Sequence, residues 1–204
     1  MQAQVLARHL GAHTDHTIDV PRIILMTDDD RLDDPSPIIP SLPPGSAVII
    51  RSKSETKRVQ LAHAVSNLCQ RQQVILLVSC ETPPKQLIGD GVHIPEAAWT
   101  RWRRTDFWRL QPRLVTTSAH NLAAARRAAL RGVNAVLLSP IHPTKSHPSG
   151  KSLGIWRGAA ICQHIDIPTI ALGGIDQKSM SRALDLGFFG CAGIGIFQTA
   201  DAKL

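Results

Sequence analysis

The sequence predicts an α/β chain folded as a (β/α)8 barrel with a reduced first helix, and three observations carry that prediction. Eight short runs rich in aliphatic and β-branched residues recur along the 204 residues, at 23–26, 47–50, 74–78, 91–94, 114–117, 135–138, 168–172 and 192–196. Most are separated by segments long enough for a helix, which implies repeated β–α units and a parallel sheet. The length suffices for one sizeable core, and no linker divides the chain.

Residues 1–20 contain three histidines and two aspartates without a continuous apolar stretch, so they read as an N-terminal extension rather than a signal peptide. Residues 21–204 read as a single domain. After the first run, the stretch PSPIIPSLPPG (35–45) has five prolines and can hold little more than one helical turn. The first helix is thereby reduced. In SETKRVQLAHAVSNLCQR, Ser54 can cap, and Leu61, Val65 and Leu68 share a face. In NLAAARRAALRG, Leu122, Ala125 and Ala129 face inward, and Gly132 ends the helix. In DQKSMSRALDLG, Asp176 caps, Met180, Ala183 and Leu184 line the buried side, and Gly187 closes.

The stretch WTRWRRTDFWRLQPR (99–113) holds three of the four tryptophans and five arginines. Aromatics interleaved with arginine can stack bases and hold phosphates. The spacing of Trp99 and Trp102 equally reads as the buried side of a helix begun at Pro95, and a homodimer contact is a third reading. Packing is favoured over nucleic acid.

Net charge is +7 and pI about 9.7, which favours acidic partners. Cys69, Cys80, Cys162 and Cys191 form no CxxC pair, so a zinc site or disulfide framework is not indicated, and a reducing cytoplasm is the simpler expectation. No apolar run approaches the roughly 18 residues of a membrane span.

In a (β/α)8 barrel, chemistry gathers at the C-terminal ends of the strands. That rim collects cations, hydroxyls and glycines, which suits a phosphate ester. The seventh run stops at Gly173–Gly174, and Gly193–Ile194–Gly195 close the eighth. Bare backbone there can approach phosphate oxygens, and a following helix N-terminus adds partial positive charge. The alternative is that these glycines only turn the chain. The loop SPIHPTKSHPSGKSLG (139–154) brings His142, Thr144, Lys145, Ser146, His147 and Lys151, as a lid over an anion would. Alternation puts Arg51 and Lys53 on one side of the second strand's end.

Six segments carry a resemblance: IILMTDDDRL, GDGVHIPE, TTSAH, SPIHPTKS…LG, IPTIALGGI and GCAGIGIF. Together they resemble the thiamine phosphate synthase/TenI family of small TIM barrels over about residues 23–197. The resemblance implies a thiazole phosphate held by Thr144 and Ser146, by Gly173 and Gly174, and by Ile194 and Gly195. It implies a hydroxymethylpyrimidine diphosphate on Arg51, Lys53 and Ser118, with Ile49 where the family has glutamine and His147 at the loop lysine position. Lys145 or Lys151 could reach there instead.

The synthases hold Mg²⁺ on aspartates after the third and fourth strands, where this chain reads Ser79–Cys80 and Ala97–Ala98. Glu81 and Glu96 are the neighbouring carboxylates, and neither is in register. The TenI members tautomerise a thiazole carboxylate phosphate with a histidine where this chain has Pro140. His142, two residues on, is the nearest substitute, and His120 a second acid/base candidate. The implied activity is thiamine phosphate synthesis, with Mg²⁺ if so. The alternatives are a metal-independent tautomerase and a non-catalytic phosphate-binding barrel.

Overall fold

The computed structural model describes residues 20–144 and 152–197. Eight parallel strands close in sequence order, with β1 hydrogen-bonded to both β2 and β8. They are β1 (Ile23–Met26), β2 (Ala47–Ile50), β3 (Ile75–Ser79), β4 (Gly91–Ile94), β5 (Leu114–Ala119), β6 (Ala135–Leu138), β7 (Thr169–Leu172) and β8 (Gly190–Ala192). Five α-helices cover the described barrel: α1 (Glu55–Arg71), α2 (Arg104–Leu110), α3 (Leu122–Leu130), α4 (Ile155–Cys162) and α5 (Gln177–Asp185). Between β1 and β2 there is only a 3-10 turn, Ile39–Ser41, because the prolines deny the segment helical hydrogen bonds.

Alternate strand residues feed two apolar layers. Ile24, Ile49, Leu77, Leu137 and Ile170 fill the barrel interior, while Leu25, Val48, Leu76, Val92 and Val136 pack outward beneath the helices. Ser54 caps α1 by accepting the Lys57 N–H at 3.2 Å, and Asp176 caps α5 reciprocally with Ser179. The buried face of α1 is Ala62, Val65 and Cys69, with Leu61 and Leu68 only partly covered. In α3 it is Ala124, Ala125 and Ala128, with Leu122 and Ala129 at its edges. Both faces are turned slightly from expectation, toward small side chains that let the helix sit close to the sheet.

β8 departs from the expected 192–196. It is earlier and shorter because Gly190 is where the barrel closes: a Cβ there would lie 2.3 Å from the Arg22 carbonyl oxygen. After Ala192 the chain leaves the sheet at Gly193, whose φ is +146°. Ile194 and Ile196 are buried in a turn, which mimics a strand in apolar content. Segment 99–113 is also not one helix. A 3-10 helix (Glu96–Arg101) precedes α2, Trp102 stacks on Phe107 at 5.4 Å, and the Trp99 indole N–H donates to Thr117 Oγ1 at 2.6 Å. Two of the three tryptophans therefore pack inward, leaving Trp108 exposed. The four cysteines are unpaired, and burial raises each thiol pKa, to about 11 or 12. Among the described residues, no helix is long and apolar enough to cross a membrane.

Candidate functional site

A cavity of about 1470 Å³ opens at the C-terminal ends of the strands. Of the residues singled out from the sequence, Arg51, Glu96, Ser118, His120, Thr144, Gly173, Gly174, Ile194 and Gly195 line it. Lys53, Glu81 and His142 do not. Lys145, Ser146 and His147, with Lys151, lie outside the described residues.

On the β7–β8 side the wall is backbone. Gly174 has φ +65°, and a Cβ on it would meet the His142 Cβ at 2.7 Å and the Pro143 carbonyl oxygen at 2.9 Å. A Cβ on Gly195 would sit 2.8 Å from the Ile175 carbonyl oxygen. Only glycine fits this close approach. Among the described residues, the N–H groups of Gly173, Gly174, Ile194 and Gly195 find no backbone acceptor. Four such donors around one hollow form an anion-receiving nest. The α5 N-terminus contributes less than its position suggests, because Asp176 takes the Ser179 N–H and adds its own negative charge.

On the β1–β2 side the wall carries two guanidinium groups, Arg31 and Arg51, together with the carboxylates of Asp28 and Asp30. Asp28 Oδ2 contacts Arg31 and Arg51, each at 3.2 Å, and all three residues line the cavity. Burial pushes the Asp28 carboxyl up, but the two arginines and the Asp30 N–H outweigh it, so its pKa lies below the ordinary value. Lys53 does not line the cavity: β2 ends at Ile50, and beyond it the Lys53 backbone N–H donates to Asp29 at 2.8 Å.

His93 was missed as a site residue, although strand alternation could have found it. It stands between Val92 and Ile94, which face outward, so its ring points into the barrel. The ring bridges Thr116 Oγ1 at 2.9 Å and Ser118 Oγ at 3.0 Å. Burial, reinforced by Arg51, lowers its pKa to about 3, so the imidazole is neutral.

The two histidine candidates differ. His120 borders the cavity, its Nδ1–H donating to the Ser139 carbonyl at 2.7 Å and its Nε2 standing 4.0 Å from Glu96. Glu96 also accepts the His120 backbone N–H at 3.0 Å and lies 3.7 Å from Arg127. His142 packs behind Gly174, and its buried Nε2 has no hydrogen-bond partner among the described residues. β6 ends at Leu138, so the alternation that placed His142 inside does not extend to it.

The carboxylates do not fit Mg²⁺, which takes several hard oxygen ligands. Glu81 pairs with Arg101 at 3.3 Å away from the cavity, and Glu96 and Asp28 are each engaged by arginine. Among the described residues, no three His, Cys, Asp or Glu side chains converge as a metal site.

A family model described as thiamine monophosphate synthase matches residues 40–197. A protein of Aquifex aeolicus named putative thiamine-phosphate synthase 2 is 31% identical over 140 residues, covering 68% of this chain and 74% of that protein. The thiamine-phosphate synthase of Chloroflexus aurantiacus is 29% identical, covering 77% and 74%. Among solved structures, the thiamine phosphate pyrophosphorylase of Pyrococcus furiosus superposes with a TM-score of 0.69 at 17% identity, over 90% of each chain. The glycine-walled hollow and the barrel that carries it thus belong with the sequence match: this chain is a member of the thiamine monophosphate synthase family.

Proposed function

We propose that the protein is a transferase of thiamine biosynthesis, joining a thiazole phosphate to hydroxymethylpyrimidine diphosphate to give thiamine phosphate and pyrophosphate. The observation that carries this reading is one cavity with two separate anion-receiving patches, bare backbone at the ends of β7 and β8 and two guanidinium groups at the ends of β1 and β2. Its volume exceeds the about 300–1000 Å³ usual for one small ligand, so it has room for two. The phosphate of the thiazole sits against the N–H groups of Gly173, Gly174, Ile194 and Gly195, with Thr144 at its edge; Ser146 extends this set by the resemblance. The diphosphate sits against Arg51 and Ser118, and His147 or Lys145 would reach it from the loop.

In the reaction the C–O bond between the pyrimidine methylene and the diphosphate breaks, its electron pair leaves with the diphosphate as pyrophosphate, and the thiazole nitrogen lone pair forms the new C–N bond. No net proton transfer is needed. The protein's part is to hold both partners in line and to stabilise the charge on the leaving oxygen. Neutral His93 keeps the Ser118 hydroxyl in place without adding charge to the barrel floor.

A second reading rests on His120 beside Glu96: an acid/base pair at the cavity wall suits a thiazole carboxylate phosphate tautomerase. The test combines the two substrates with folded protein, with Mg²⁺ and with a chelator, and follows thiamine phosphate as its fluorescent oxidation product. Product in either arm supports the transferase. No product in both arms removes it, and tautomerisation lost on His120→Gln would establish the second reading.

A further inference from the structure

We propose that Arg31 is the second guanidinium of the diphosphate subsite, set beside Arg51 by their shared contact with Asp28. This rests on the transferase reading and names a residue that the resemblance does not supply. Of the three family contacts at the end of β2, the glutamine position is Ile49, fully buried in the barrel interior, and Lys53 does not line the cavity. Arg51 alone remains there. A single guanidinium is a weak counter to a diphosphate, and the neighbouring carboxylates do not fit a divalent ion.

Arg31 stands where the missing charge is needed. The 28–32 segment is closed by paired backbone bonds between Asp28 and Leu32, both 2.9 Å, which carry Arg31 back over the Asp28 carboxylate. Thr27 Oγ1 accepts the Arg51 N–H at 2.7 Å and donates to the Arg51 carbonyl at 2.8 Å, fixing the ends of β1 and β2 together. Both guanidinium groups reach the same oxygen, so they are near enough for one diphosphate to span them. The geometry is built before any ligand arrives, which limits the ordering cost of binding. As the C–O bond breaks, the electron pair that leaves with the diphosphate is met by N–H donors of the two guanidinium groups that Asp28 holds side by side.

The experiment titrates inorganic pyrophosphate, in chelator, into the parent protein and into Arg31→Gln, Arg31→Lys and Arg101→Gln. Arg101 pairs with Glu81 outside the cavity and controls for loss of bulk charge. Arg31→Gln is expected to weaken pyrophosphate binding about tenfold or more, Arg31→Lys less, and Arg101→Gln within about twofold. Thermal melts verify folding, and the lysine variant keeps the test decisive if the glutamine variant is unstable. Equal losses in Arg31→Gln and Arg101→Gln overturn the proposal, as does parent binding that appears only with Mg²⁺. Thiamine phosphate formation with an unchanged KM for the pyrimidine diphosphate in Arg31→Gln also overturns it, and leaves the transferase standing. Arg31-dependent pyrophosphate binding without thiamine phosphate formation does the reverse.

Discussion

Replacing Gly174 by alanine tests the backbone cradle most directly. At φ +65° a Cβ costs about 1–2 kcal/mol, partly offset by about 0.4–1 kcal/mol of lost freedom in the unfolded chain. The new methyl also meets the His142 Cβ at 2.7 Å and the Pro143 carbonyl oxygen at 2.9 Å. Neither is the end of a flexible side chain, so the loop must shift, adding about 1–3 kcal/mol. A total of about 1–5 kcal/mol follows. Gly45 is the internal control: its φ is +80°, but a Cβ there meets nothing within 4 Å. Gly45→Ala should cost only about 1 kcal/mol, the backbone part alone. Urea unfolding of the two variants isolates the crowding. Calorimetry with thiazole phosphate then reads the cradle, where displacing even one charge-assisted N–H contact lowers affinity about tenfold or more. The reasoning is refuted if Gly174→Ala is no less stable than Gly45→Ala, or if it binds the phosphate ester as tightly as the parent.

Three further outcomes are expected. His93 is neutral when folded, with its pKa lowered from 6.5 to about 3, so below pH 6.5 the unfolded chain binds a proton that the native state refuses. Its contribution to stability is fully present above pH 6.5 and falls by about 1.4 kcal/mol per pH unit toward pH 3. In denaturant melts across that window, His93→Gln should flatten the slope, and an unchanged slope would place the proton elsewhere. Ser54→Ala removes the α1 cap and should cost about 1 kcal/mol in the same melts. His142→Ala should leave turnover of the folded protein intact, because its ring lies behind Gly174; lost turnover with unchanged stability would return the imidazole to the chemistry.

What was legible in the sequence divides at the last ladder hydrogen bond. Inside a strand the pleat fixes side-chain direction, and there the residue pattern located β1, β2, β4 and β6 to the residue. The same rule, applied to β4, would have turned His93 inward between two outward aliphatics. Beyond the strand ends, direction is set by loop hydrogen bonds that leave no periodic trace. Carrying alternation past Ile50 and Leu138 puts Lys53 and His142 at the cavity, and neither lines it. The Lys53 N–H is taken by Asp29, and the His142 N–H by the Gly173 carbonyl at 2.9 Å. β8 failed for a related reason, since burial alone cannot separate a strand from an apolar turn.

The glycines escape this limit because they speak through backbone rather than side-chain direction. A residue without a Cβ is wanted wherever two chain segments must touch, whichever way neighbouring side chains point. That is why the Gly173–Gly174 and Gly193–Gly195 hollow and the strand-end Arg51 are legible in the sequence, while Arg31 is not. Arg31 owes its place to a five-residue backbone closure and to an aspartate three positions earlier, a long-range consequence of β1 and β2 being tied through Thr27. In a barrel of this kind, a hollow walled by glycine backbone can be read from sequence. The side chains that loop hydrogen bonds aim at the cavity require the loops to be seen.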